Sequence, residues 1–189
     1  MGNTVGSLTK EQISVIVGSI LGDGYLRIVP NRMNALLEIN HSIKQKDYVD
    51  WKYEKLKKLV NSPPKSYKSN GNRIAYRFNT RQHPFLTELH SEYYKDRKKT
   101  IHRIELNALV LSVWFMDDGS KTYCTYYLNT QQFDYNSQLQ LIRALNDYDI
   151  CSSLNKDKDY YRIRIKQESA DKFRRLIKDH VVSSMKYKL

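Results

Sequence analysis

With 189 residues, 40% of them hydrophobic, the chain has a composition ordinary for a globular protein and is long enough to bury a core, either as one domain or as two small related halves. Its 32 Lys+Arg against 20 Asp+Glu leave a formal charge of +12, which points to a polyanionic partner, and no apolar run reaches the ~18 residues of a membrane span. The two cysteines, Cys124 and Cys151, lie in no Cys/His cluster of zinc spacing and read as reduced thiols.

The N-terminal stretch carries no apolar signal core, so an intracellular protein is expected. Its Met1-Gly2 start with Ser7 fits only a loose acylation pattern. Fifteen tyrosines, with abundant Lys, Asn and Ile, suit an AT-rich coding source such as an organelle, a prokaryotic cytoplasm being the other setting. Thr9 and Gln12 form a capping box before Ile13, Ile16, Val17, Ile20 and Leu21, which recur at helical spacing, and Gly24 is placed to stop that helix.

Two strand-like runs, "YLRIVPN" and "ALLEINHSI", follow, and then a helix from about Lys46 to Leu59. "KSYKS", the Asn70-Gly71 turn and "NRIAYRFNTR" predict a hairpin. A helix from about His83 to Tyr94 and the basic connector "KDRKKTIHR" lead to a second apolar helix, Glu105 to Asp118. The order then repeats: a hairpin ("SKTYCTYYLNTQ"), a helix (about Tyr135 to Tyr148), a hairpin ("SSLNKDKDYYRIRIK") and a last helix (about Ser169 to His180). Each half reads helix, two strands, helix, two strands, helix, and that self-similarity predicts two related units about a pseudo-twofold axis.

Strand alternation predicts a basic sheet face. Arg162, Arg164 and Lys166 alternate with Tyr161, Ile163 and Ile165, while Arg73, Arg77, Asn79 and Arg81 alternate with Ile74, Tyr76 and Phe78. Rows of this kind in both halves of a +12 chain suit phosphates and base edges. Residues expected to touch nucleic acid are Arg27, Lys65, Lys68, Arg73, Arg77 and Arg81 in the first half. In the second half they are Lys121, Tyr126, Gln131, Lys156, Arg162, Arg164 and Lys166.

Both apolar helices end on Asp-Gly, at Asp23-Gly24 and Asp118-Gly119, and Gly18 and Gly22 leave one face of the first helix bare for close helix packing. Carboxylates are unfavourable at helix C-termini, where the macrodipole is negative, and two brought together would repel further. A compensating hard cation such as Mg²⁺ makes the pair tolerable and, beside a basic groove, suits attack of water on a phosphodiester. In "MDDG" the side chains of Asp117 and Asp118 diverge by about 100° on a helix, and Asp118 is the one that precedes glycine as Asp23 does.

"IVGSILGDG" and "LSVWFMDDG" resemble the two copies of the LAGLIDADG motif, and the chain resembles the monomeric, double-motif LAGLIDADG homing endonucleases along nearly its whole length. "SPP" with the following hairpin, "KKTI", "WFMDDG", "LNTQ" and the terminal "YKL" are similar in order and spacing to intron-encoded members. The resemblance implies an α+β fold of two pseudo-symmetric αββαββα units, residues 1–97 and 105–189 joined by a linker at 98–104, with antiparallel sheets forming a saddle on DNA. It also implies cleavage of both strands at a long asymmetric site, leaving 3′ overhangs. Asp23 and Asp118 would bind Mg²⁺, with Mn²⁺ as a substitute and Gly22 and Asp117 beside them. Lys99 and Lys188 would act as the basic catalytic residues. Each lysine follows its aspartate at a similar interval; Val113 and Asp117 depart from the motif's glycine and alanine. Double-stranded DNA is the expected partner of a monomer. The competing readings are a group I intron RNA maturase and a DNA-binding regulator without catalysis.

Overall fold

The structure is a computed structural model that describes residues 6–68 and 71–189. Met1 and Gly2 of the acylation pattern and Asn70 of the predicted turn lie outside the described residues. The chain divides into two compact units, one ending at His90 and one beginning at Ser91. No helix among the described residues is long and apolar enough to cross a membrane.

The first unit opens with α1 (Lys10–Leu21). Its N-terminus is fixed as the sequence predicts: the Gln12 amide donates to Thr9 Oγ1 at 3.2 Å and the Thr9 amide donates to Gln12 Oε1 at 3.0 Å, so two orphan amides are satisfied reciprocally. The helix ends at Leu21, earlier than Gly24, because Gly22 already caps it; Gly24 instead folds back, its amide 2.7 Å from the Ser19 carbonyl. A Cβ at Gly24 would meet that carbonyl oxygen at 2.7 Å, so the close return needs a residue without one.

β1 (Tyr25–Ile28), β2 (Ala35–Ser42), β3 (Lys65–Lys68) and β4 (Ile74–Asn79) form an antiparallel sheet in the order β1-β2-β4-β3. Leu26, Leu37, Ile39 and Phe78 point to its inner face, where Val49 and Leu56 of α2 (Lys46–Leu56) are also buried. Each such side chain contributes about 1.5–3 kcal/mol of burial. Lys52 of α2 is fully buried as well, its ammonium 4.7 Å from the Tyr48 ring centre.

α3 (Pro84–Tyr93) leads into a feature absent from the sequence reading, the small hairpin β5 (Tyr94–Lys95) and β6 (Lys98–Lys99). Its two-residue turn places Asp96 at φ 50° and Arg97 at φ 64°. Two successive left-handed residues are what a twist-matched hairpin turn requires.

In the second unit α4 (Ala108–Asp118) begins three residues later than expected, because Asn107 Oδ1 accepts from the Val110 amide at 2.9 Å and caps it there. β7 (Gly119–Lys121), β8 (Tyr126–Leu128), β9 (Ser152–Asp157) and β10 (Tyr160–Ile165) repeat the first sheet's topology in the order β7-β8-β10-β9. Inside it, Phe115, Tyr126 and Phe173 of α6 (Gln167–Ile177) form an aromatic cluster with ring centres 5.5 Å apart.

α5 (Tyr135–Asn146) is capped by Asp134, whose Oδ1 accepts from the Ser137 amide at 2.7 Å. That bond holds the Asp134 carboxyl below its ordinary range. A depressed carboxyl stabilises fully above the unfolded aspartate value of about 3.9, and the contribution is lost as pH falls through the lower folded value. Asp134→Ala is therefore expected to cost about 1 kcal/mol near neutral pH, with the gap to wild type closing in melting curves taken below about pH 4.

Candidate metal centre and nucleic-acid interface

Asp23 follows the end of α1, its side chain 47% exposed, and Oδ2 lies 3.5 Å from Nδ1 of His41. The imidazole is 2% exposed and packs edge-on against Tyr48 with ring centres 5.4 Å apart. The strand β2 puts it there: Leu37, Ile39 and His41 share the inward face, and the last of the three arrives beside the helix end. Sequence reasoning missed His41, although a lone histidine on an otherwise apolar strand face was the available signal.

The second unit builds a different surround. Asp118 is the last residue of α4, half-buried, and its Oδ2 accepts from Gln132 Nε2 at 3.1 Å. Asp117 beside it is buried. Neither motif helix carries a basic residue in its last turn. For α4 the cation comes from far along the chain: Lys188 Nζ donates to the carbonyls of Met116 at 2.6 Å and Asp117 at 3.1 Å. An ammonium on the last carbonyls offsets the negative helix end that makes a carboxylate costly there. Lys188 is held in place by its neighbours, since Met185 is buried and the Leu189 carbonyl accepts from Tyr126 Oη at 3.1 Å. Lys99 lies in β6, half-buried, where the Asp96-Arg97 turn sets its direction.

Two carboxylates, each at a helix end and each oriented by a nitrogen ligand from its own unit, present hard anionic oxygens. Such donors suit Mg²⁺ or Mn²⁺ rather than a thiophilic ion.

On the sheets, the outward face of each unit is basic. In the first, Arg77 on β4 is half-buried and its guanidinium lies 4.0 Å from the Tyr67 ring centre. Lys65 is exposed on β3 opposite Arg77, Lys68 is exposed on the other side of that strand, opposite Ile74, and Arg73 is exposed just before β4. Arg27 pairs with Glu38 at 3.2 Å, and Arg81 donates to the Lys58 carbonyl, so both are tied to the protein. In the second unit Arg162 lies 4.1 Å from the Tyr127 ring centre, Arg164 shares its face, and Lys166 is exposed; Lys121 and Lys156 are exposed as well but pair with Tyr126 and Tyr161, on the other side of the sheet. Gln131 donates to Asp157 at 2.9 Å.

Tyr126 is a correction. It is 5% exposed, in the aromatic cluster, because β8 alternates with Tyr126 and Leu128 inward and Tyr127 outward. The outward tyrosine is its neighbour, Tyr127, which underlies Arg162.

Residues 13–173 match the LAGLIDADG DNA endonuclease family. A relative from Wickerhamomyces canadensis, "Probable intron-encoded endonuclease 1", is 29% identical over 97% of this chain and 85% of its own length. The cytochrome b mRNA maturase bI2 of Saccharomyces cerevisiae is 27% identical, and the chain spans about half of it, 49%. Among solved structures, the homing endonuclease I-WcaI bound to its DNA recognition sequence superposes with a TM-score of 0.91 at 27% identity, over 98% of this chain and 88% of that one.

Proposed function

We propose that this chain, which belongs to the LAGLIDADG DNA endonuclease family, is a site-specific homing endonuclease that hydrolyses both strands of a long asymmetric DNA target with a divalent metal. The observation that carries this reading is the Asp118 corner. There a carboxylate held by Gln132 stands at a helix end whose carbonyls are engaged by Lys188, in the same unit as an arginine-bearing sheet face. The name of the Wickerhamomyces relative and the DNA-bound structure of I-WcaI support it.

In this reading the outward arginines and lysines hold phosphates and base edges, and water attacks phosphorus as the 3′ oxygen departs. Asp23 and Asp118 supply the anionic oxygens for Mg²⁺, with Mn²⁺ as a substitute. The bound metal would lower the pKa of attacking water and neutralise charge on the phosphoryl oxygens. Lys188 and Lys99 add positive charge where the pentacoordinate phosphorus group accumulates negative charge. Gln132 and His41 keep the two carboxylates in orientation. One chain carries both units, so a monomer suffices.

Lys188→Met is expected to lower the cleavage rate roughly 100-fold, while affinity for the target changes less than threefold. Single-turnover cleavage beside a binding titration measures both. A loss confined to affinity would place Lys188 in binding alone.

A second reading, assistance to intron splicing, is supported by the similarity to the cytochrome b mRNA maturase. Incubation with duplex target and Mg²⁺, in parallel with a self-splicing assay of a group I intron, separates the two. Linear DNA product carries the endonuclease reading; splicing stimulation with no cleavage at any protein concentration carries the other.

A further inference from the structure

Counting from each Asp-Gly pair along the sheet brings two arginines to the same register. Gly119 faces Leu128, and continuing the first sheet's ladder from Tyr25 and Glu38 places Gly24 opposite Ile39. Ile39 faces Phe78, and Leu128 faces Ile163. Arg77 and Arg162 are therefore equivalent, each one residue before the buried apolar partner.

Their surroundings match in kind although the residues come from different strands. Arg77 lies over Tyr67 of β3, and Arg162 over Tyr127 of β8, at 4.0 and 4.1 Å from the ring centres. A guanidinium seated over an aromatic ring is restrained there, and part of its rotamer freedom is spent before any ligand arrives. The tyrosines thus pre-organise the forks. Among the described residues no carboxylate pairs with either arginine, whereas Arg27 faces Glu38 at 3.2 Å. The Nε of Arg162 is buried without a hydrogen-bond partner among the described residues.

Both arginines sit on inner strands, β4 between β2 and β3, and β10 between β8 and β9. On the edge strands, Lys65 of β3 lies opposite Arg77 and Asn155 of β9 opposite Arg162. Base-edge contacts specify where phosphate contacts only position, and a fixed guanidinium fork matches the O6 and N7 acceptors of guanine.

We infer that Arg77 and Arg162 each read a guanine through its O6 and N7, one in each half of the DNA target. The inference rests on the endonuclease reading and adds base identity at two positions.

The test uses the full chain and a randomised duplex library, selected for binding in Ca²⁺. The wild type is expected to select a consensus with a G·C pair in each half. Arg77→Met should erase the preference at one of these pairs and leave the other; Arg162→Met should do the reverse. Replacing either G·C pair by A·T should weaken wild-type binding about 5- to 100-fold. Arg77→Gln, whose amide suits adenine, should shift its position from G towards A, a change of base preference that a purely structural role would not produce. Melting curves identify variants that fail to fold, and for these the Gln and Lys substitutions take the place of Met. A consensus retained in full by folded Arg77 and Arg162 variants overturns the inference. So does uniform weakening on all sequences with a shallower salt dependence, the mark of phosphate contacts. A wild type that selects no consensus overturns the endonuclease reading and the inference with it.

Discussion

Asp118→Asn is expected to reduce DNA cleavage roughly 1000-fold while leaving DNA binding intact or slightly tighter, and Asp23→Asn to do the same. Asparagine keeps the shape of each carboxylate but removes the charge and one hard donor oxygen. For Asp118 it still offers an oxygen to Gln132 Nε2, so the local hydrogen bond at 3.1 Å survives and folding should not change. Each substitution also removes a negative charge facing a polyanion, which explains why affinity should not fall. The pair of measurements is a single-turnover cleavage rate and a binding titration without metal. Undiminished cutting by Asp118→Asn, with cutting abolished by Asp117→Asn, would show that the buried neighbour is the working acid.

Gly119→Ala is expected to cost about 1–3 kcal/mol of stability, a fall in melting temperature of roughly 2–12 °C, with cleavage lost in proportion to folding. The cause is space rather than backbone angle. A Cβ at Gly119 would lie 2.0 Å from Cδ2 of Phe115 and 2.4 Å from its carbonyl oxygen, and Phe115 is fixed between Tyr126 and Phe173. The ring has nowhere to go, so the strand that follows Asp118 must shift and carry the carboxylate with it. Gly24→Ala meets the Ser19 carbonyl at 2.7 Å and should be costly for the same reason. Gly71 makes the contrast: among the described residues nothing lies within 4 Å of its Cβ position, and its φ of 69° alone sets a penalty of about 1 kcal/mol. A melting series ranking Gly71→Ala below Gly119→Ala supports the steric account; the reverse order contradicts it.

The aspartates therefore precede glycine for two separate reasons. In the proposed function the carboxylate holds the metal, while the glycine lets the chain turn directly back onto its own helix before entering the sheet.

The order of elements was legible because each carries its own local signal. Thr9 and Gln12 announce α1, the apolar spacing of Ile13 to Leu21 continues it, and alternation in β4 and β10 separates arginines from core residues. What stayed hidden depends on phase or on distance. The start of α4 was read too early because Glu105 and Leu106 look helical, while Asn107 is the residue whose side chain closes the first turn. In β8 three successive residues are aromatic or apolar, so hydrophobicity alone does not fix the phase, and choosing Tyr126 instead of Tyr127 turned a core residue outward. The β5–β6 turn has neither Gly nor Asn to mark its left-handed residues.

The site divides along the same line. Both Asp-Gly pairs stand out in the sequence, whereas Lys188 is reached only through the resemblance of "YKL", and the orienting groups come from other elements. His41 reaches Asp23 from β2, and Gln132 reaches Asp118 from the segment before α5. Those partners differ between the units, an imidazole in one and an amide in the other, although the helix ends they serve are alike. Similar backbone ladders thus carry different local chemistry, which suits a protein whose two half-sites differ.

The most direct measurement is strand-resolved cleavage of a duplex recovered by selection, with Mg²⁺ or with EDTA, by the wild type and by Asp23→Asn and Asp118→Asn. Both strands should be cut by the wild type in Mg²⁺, neither strand in EDTA, and each variant should lose at least one cut while still binding. Cleavage that persists in EDTA, or that neither substitution diminishes, would contradict the assignment of Asp23 and Asp118 as the metal-holding acids.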